Sequence, residues 1–156
     1  MSPNNLQQRV ERLELLYRVG RALSAEKNRD RLVEMILVEA KNLCNPDGGT
    51  LYLRTSDDEL RFMIMRTDSL NIMLGGTTGK EIAFPPIPLY DKSTGAPNQK
   101  NVATAAALLK KSVNIPDAYH AKGFDFTGTK NFDAQNNYRS TSFLTIPMLN
   151  TEDDVI

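Results

Sequence analysis

Apolar residues recur at helical spacing near the start of the chain, where Leu6, Val10, Leu13, Leu16, Tyr17 and Leu23 stand among charged and amide side chains. The period predicts an amphipathic helix over residues 4–25. Leu6, Val10, Leu13 and Tyr17 keep the alternating 4-3 spacing of a coiled-coil seam, while Leu15, Leu16, Val19 and Leu23 widen the apolar surface beyond one stripe. Such a helix has surface for its own domain and for a partner helix; an ordinary core helix is the alternative. A second helical pattern (Leu32, Val33, Ile36, Leu37, Ala40, Leu43) starts at Asn28 or Asp30 and stops at the turn residues Asn45-Pro46-Asp47-Gly48-Gly49.

The pattern then changes to short extended segments. Thr50–Arg54 and Glu59–Arg66 carry β-branched and aromatic residues around Ser56-Asp57-Asp58, which predicts a β-hairpin. Ile72–Leu74, Glu81–Phe84 and Ile87–Tyr90 read as short extended pieces, with Pro85, Pro86 and Pro88 confining them to an edge or a loop. Asn101–Lys111 is alanine-rich with basic residues in its last turn and predicts a third helix. Its N-terminal end, around Asn98 to Val102, offers backbone N–H groups to an anion. From Asn114 a long polar, aromatic-studded loop runs into the apolar strand Ser142–Met148, stopped by Pro147. Loops of that length are uncommon in compact domains and usually serve as lids or binding loops. Asn150–Asp154 forms a turn, and Val155-Ile156 reads as the start of a strand that is cut off.

The length of 156 residues suits one domain. Lys plus Arg and Asp plus Glu each total 19, so no net field draws the chain to nucleic acid. One cysteine, Cys44, excludes an internal disulfide, a CxxC redox pair and a multi-cysteine zinc site. No apolar run reaches the length of a membrane span, and Met1 to Asn5 lacks the basic-then-apolar build of a signal peptide, so a cytoplasmic segment without direct membrane contact is expected.

Gly49-Thr50-Leu51-Tyr52-Leu53, Asn114-Ile115-Pro116-Asp117-Ala118-Tyr119, Phe132-Asp133, Tyr138-Arg139-Ser140-Thr141-Ser142 and Phe143–Met148 follow the opening helix pair in a telling order. In these pieces the chain resembles a GAF domain, the small-molecule sensory module of phosphodiesterases, cyclases and bacterial signalling proteins. It looks most like the GAF domains of HD-GYP-type cyclic-di-GMP phosphodiesterases, nucleotide cyclases and sensor kinases. The resemblance spans residues 1–156 as a single domain. It implies an α+β fold: a central antiparallel sheet of about six strands, N-terminal helices on one face and a loop-covered pocket on the other. The final strand and C-terminal helix of the family would lie past Ile156. So would the asparagine-lysine to phenylalanine-aspartate-glutamate motif of cyclic-nucleotide-binding members; Lys130-Asn131-Phe132-Asp133 lies before the strand rather than after it.

Asp117 and Asp133 can accept hydrogen bonds from a ligand, and Tyr119, Phe124, Phe126 and Tyr138 can stack on a planar ring. The plainer alternatives are aromatics that pin a loop to the sheet, and an Asp117 that caps a short helix through Tyr119 and Ala121. Arg139 can clamp a phosphate or carboxylate, although pairing with Asp133 or Asp125 is the expected structural role. Phe62, Asn101, Val102 and Thr141 complete the candidate ligand contacts. His120 is the only histidine, so no Ser-His-Asp system and no multi-histidine metal site can be assembled; no catalytic or metal residue is assigned. Haem ligation by His120 is disfavoured against a solvated loop histidine. Cys44 is expected to be a small buried hydrophobe. Gly75–Lys80 lacks phosphate-loop spacing and reads as a flexible loop, and Asp57-Asp58 and Asp153-Asp154 as turns. The expected function is therefore a regulatory module controlling a linked output domain and homodimeric through its first helix. A cyclic nucleotide or another small molecule is the expected ligand, and a dimerisation scaffold without ligand is the alternative.

Overall fold

The computed structural model describes residues 3–156; Met1 and Ser2, which enter the signal-peptide expectation, lie outside the described residues. The elements follow in the order α1 (Pro3–Ala25), α2 (Arg29–Cys44), β1 (Gly48–Arg54), β2 (Glu59–Thr67), β3 (Ile72–Gly75), a 3-10 turn (Gly76–Thr78), β4 (Ile87–Pro88), α3 (Val102–Leu109), β5 (Val113–Ile115), α4 (Thr127–Asn136) and β6 (Phe143–Thr145). Strand β2 pairs with β3 and with β4, and β5 with β6, each antiparallel. The fold is α+β, with β1-β2-β3 and β4 in one sheet and β5-β6 in another. The described strands thus number six, divided between two ladders rather than lying in a single sheet.

The chain forms two compact units, the first comprising residues up to Leu51 with Met63–Ile82, the second Tyr52–Phe62 with Ala83–Ile156. In the first, α1 packs on α2, and the half-buried Leu15, Val19 and Leu23, one turn apart, mark the face that does so. Helix α2 starts at Asn28, whose side chain accepts from the Arg31 N–H, and ends at Asn45, left-handed at φ 50°. Its buried residues are Val33 and Leu37. Gly49 permits the strand to lie against Leu37, because a Cβ there would sit 2.8 Å from Leu37 Cδ1.

Arg66 is buried and charged, and its partners account for that. It donates to Glu34 at 2.5 Å and to the Leu74 carbonyl at 3.1 Å. Glu34 also accepts from the Thr77 hydroxyl, whose donation is the main cause holding its carboxyl below the ordinary range. The segment expected to be a flexible loop is therefore a 3-10 turn tied to α2 through this network. Ile72–Gly75 pairs with β2, whereas Glu81–Phe84 joins no strand.

In the second unit Leu60, Leu89 and Ala107 form one buried cluster, and Val102, Ile115, Ala118 and Phe126 another. Helix α3 lies in both because its alanines leave little side chain to displace. The long loop expected from Asn114 is an interrupted one: it contains β5 and α4, and only short connections remain irregular. The strand expected over 142–148 is limited to Phe143–Thr145, consistent with the N–H that Pro147 lacks. Val155 forms a single bridge with Leu149 rather than opening a strand.

Candidate functional site

Two helix N-termini line one cleft in the second unit. It has a volume of about 280 Å³ and is bordered by Ile87, Asn98, Lys100, Asn101, Asp125, Gly128 and Thr129. Asn101 caps α3, its Oδ1 accepting from the N–H groups of Ala103 at 2.9 Å and Thr104 at 3.3 Å. Thr104, fully buried, donates its hydroxyl to the carbonyls of Asn98 and Asn101. Asn98 in turn donates to the Pro88 carbonyl at 3.0 Å. The cleft wall at α3 is thus held by side chains that each bond backbone, and Asn101 takes the N–H groups of Ala103 and Thr104, just past the Asn98–Val102 stretch expected to receive an anion.

The opposite wall is the start of α4. Phe126 at its N-cap makes no side-chain cap, and Asp125 substitutes by accepting from the Thr127 N–H at 2.9 Å. The Thr127 donors, first, and then Lys100 and Lys130, hold the Asp125 carboxyl below the ordinary range. Gly128 faces open space, with nothing within 4 Å of where a Cβ would stand. A second hollow of about 640 Å³ runs along residues 88–100. Its Asp91 is occupied by the N–H and hydroxyl groups of Ser93 and Thr94, which lower its pKa strongly. That carboxylate serves a turn.

Four of the other candidate residues, Asp117, Tyr119, Asp133 and Arg139, gather in one polar and aromatic cluster. Asp133, 2% exposed, accepts from the Tyr119 hydroxyl at 2.9 Å, the Ser140 N–H at 2.7 Å and the Ser140 hydroxyl at 2.8 Å. Bonding to Asp133 raises the Tyr119 phenol pKa. Arg139 places its guanidinium 4.2 Å from the centre of the Tyr119 ring, and the Lys130 ammonium lies 5.2 Å from it. Asp117 caps a turn rather than the short helix expected: its Oδ1 accepts from the Tyr119 N–H, and its Oδ2 meets His120 Nδ1 at 2.8 Å. The histidine contact is the largest cause of its lowered pKa. Arg139 approaches Asp117 at 3.6 Å, so its carboxylate partner is neither Asp133 nor Asp125.

The remaining candidates are dispersed. Phe124, Phe126 and Phe143 stack successively in the core, with Val102 in the same cluster. Tyr138 meets Phe132 edge to face, and Phe62 lies between Tyr52 and Phe84. Burial raises the Tyr52 pKa to about 12. Thr141 accepts the Ala118 N–H through its carbonyl. Of the candidate set, Asn101 alone borders the cleft. Lys100, Asp125, Gly128 and Thr129 were missed; the run Thr127-Gly128-Thr129 closely following Asp125 was an available helix-start signal. Cys44 is exposed at the end of α2, not buried as expected. Among the described residues no group of three His, Cys, Asp or Glu side chains could hold a metal ion.

This architecture is the GAF fold. The chain superposes on the GAF domain of a phosphoenolpyruvate-protein phosphotransferase from Coxiella burnetii with a TM-score of 0.62 at 13% identity, covering 92% of this chain and 72% of that one. The corresponding Acinetobacter domain gives 0.61 at 12% identity, covering 92% and 71%. The free methionine-R-sulfoxide reductase of Neisseria meningitidis, in complex with its substrate, gives 0.56 at 15% identity, covering 92% and 67%. No protein-family profile matches the chain, and no curated protein sequence does. At these identities the likeness defines the fold alone.

Proposed function

We propose that this chain is a regulatory, small-molecule-sensing module of a bacterial signalling protein. The observation that carries the reading is the cleft between the starts of α3 and α4, on a fold shared with GAF domains. Lys100, the Thr129 hydroxyl, the Asn101 amide N–H groups and the open backbone at Gly128 offer donors, and Asp125 and the Asn98 amide oxygen offer acceptors. Such a wall suits a polar ligand that both donates and accepts, of which a cyclic nucleotide is one. Ligand contacts made only in one conformation of the α3–α4 connection would shift its population, within the limit set by differential affinity. Helix α1 is the natural output surface, leading to a linked phosphodiesterase, cyclase or kinase domain in the cytoplasm. No helix among the described residues is long and apolar enough to cross a membrane. A catalytic role is disfavoured because the single histidine is an exposed partner of Asp117 and the single cysteine lies at a helix end.

Native mass spectrometry of freshly purified protein, followed by thermal-shift measurement with cyclic AMP and cyclic GMP, tests the reading. A bound small molecule, or a melting shift that disappears on Lys100→Ala, is expected. Protein that is always ligand-free and never stabilised would favour the scaffold alternative.

A further inference from the structure

The α3–α4 cleft and the hollow along residues 88–100 adjoin, because Asn98 and Lys100 border both. The cleft alone, at about 280 Å³, falls just short of the about 300 to 1,000 Å³ usual for small-molecule sites, and the 640 Å³ hollow brings the combined space well inside that range. Their walls differ in chemistry. The cleft presents Asp125, the Asn101 amide and the Thr129 hydroxyl. In the hollow most polar groups are already bonded: Asp91 takes the N–H and hydroxyl groups of Ser93 and Thr94, the Thr94 hydroxyl accepts from the Ala96 N–H, and Lys92 pairs with Glu59 at 2.9 Å. What is left there for a ligand is the apolar surface of Pro88, Ala96 and Pro97 beside the Gln99 amide. The bridge between Tyr90 and Pro97, and the Asn98 N–H that donates to the Leu89 carbonyl at 2.8 Å, fix that surface in place.

Lys100 stands at the junction of the two. Its carbonyl accepts the Asp125 N–H at 2.8 Å, but its ammonium has no hydrogen bond or ion pair among the described residues. An uncommitted cation between a polar and an apolar hollow suits a ligand whose negative charge lies in its middle, with a flat group on either side. We infer that the site takes a phosphodiester-linked dinucleotide. One base is bonded along its edge in the cleft by Asp125 and the Asn101 amide, the linking phosphate meets Lys100, and the second base lies flat on Ala96 and Pro97. This deepens the reading of the cleft as a sensing site and rests on it. A cyclic mononucleotide carries its phosphate at one end, so from Lys100 it reaches one hollow and leaves the other to water.

Isothermal titration calorimetry with charge-matched probes tests this: the linear dinucleotide ApA and cyclic AMP each carry a single negative charge, as do GpG and cyclic GMP. On the wild type, ApA or GpG should bind about tenfold tighter than its cyclic mononucleotide, the worth of burying about 60 Å² of base against apolar surface. Ala96 is exposed, and Ala96→Gln lays a long, uncharged polar side chain over the apolar floor of the hollow. It should remove that gain and leave the Kd of the cyclic mononucleotide unchanged, while Lys100→Ala should weaken the dinucleotide. The wild-type comparison decides even where a variant fails to fold. Dinucleotide binding no tighter than that of the cyclic mononucleotide overturns the proposal, as does a gain that survives in folded Ala96→Gln. A cyclic mononucleotide that binds without any dinucleotide gain removes the second subsite and leaves sensing in place. If none of the four probes binds, the proposal falls, and sensing is then judged by the small-molecule mass excess of freshly purified protein.

Discussion

Asp133 illustrates how a residue that reads as a ligand contact can be used by the fold. Buried with three donors converging on it, it organises Tyr119 and Ser140. Asp133→Ala should cost about 2 kcal/mol in urea unfolding, because it removes a buried acceptor and leaves part-buried donors unpaired. Asp117 has a different signature. Its folded pKa lies below the ordinary value, chiefly through His120, so it contributes stability above the unfolded carboxylate pKa that is lost as pH falls through the lowered folded value. Asp117→Asn should therefore flatten the acid limb of a melting-temperature profile below about pH 4, whereas a profile as steep as wild type would contradict that role. The sequence identified both aspartates and the aromatics as a group. Their assignment to cluster or cleft depends on which backbone N–H groups and rings come together across the α4 connection, and residue type does not encode that.

At the scale of elements, hydrophobic period and capping chemistry were most of what the sequence needed. Asn28 and Asn101 start α2 and α3 as helix-capping residues do, and Asn101→Ala should destabilise the protein by about 1 kcal/mol in chemical denaturation. Two elements were less legible. Helix α4 lacks an apolar stripe, Asp133 being its only buried residue, so periodicity could not find it within the loop. The 3-10 turn depends on the long-range partnership of Glu34 with Thr77 and Arg66. Glu34→Ala leaves the buried Arg66 without its carboxylate and should cost about 2 kcal/mol, moderated by the fifth of the Glu34 side chain that water reaches (21%). Gly75→Ala should be worse than that. Its φ is +71° and a Cβ would stand 2.0 Å from the Met63 carbonyl oxygen, so the turn would have to rebuild.

For the whole molecule, an α+β chain with antiparallel strands and the GAF fold was readable from the order of its motifs, although no single motif was specific. The division of six strands into two ladders was not readable, because short edge segments such as Ile87–Pro88 and Phe143–Thr145 acquire partners only through tertiary pairing. The central claim is that the cleft between α3 and α4 takes a small molecule. Gly128 provides the most direct test, since it lines the cleft and nothing stands within 4 Å of where its Cβ would be. Native mass spectrometry of wild type and Gly128→Leu, purified side by side, is the decisive measurement. The account predicts a small-molecule mass excess on the wild type that is absent from a folded Gly128→Leu variant; an excess equal in both, or absent from both, would contradict it.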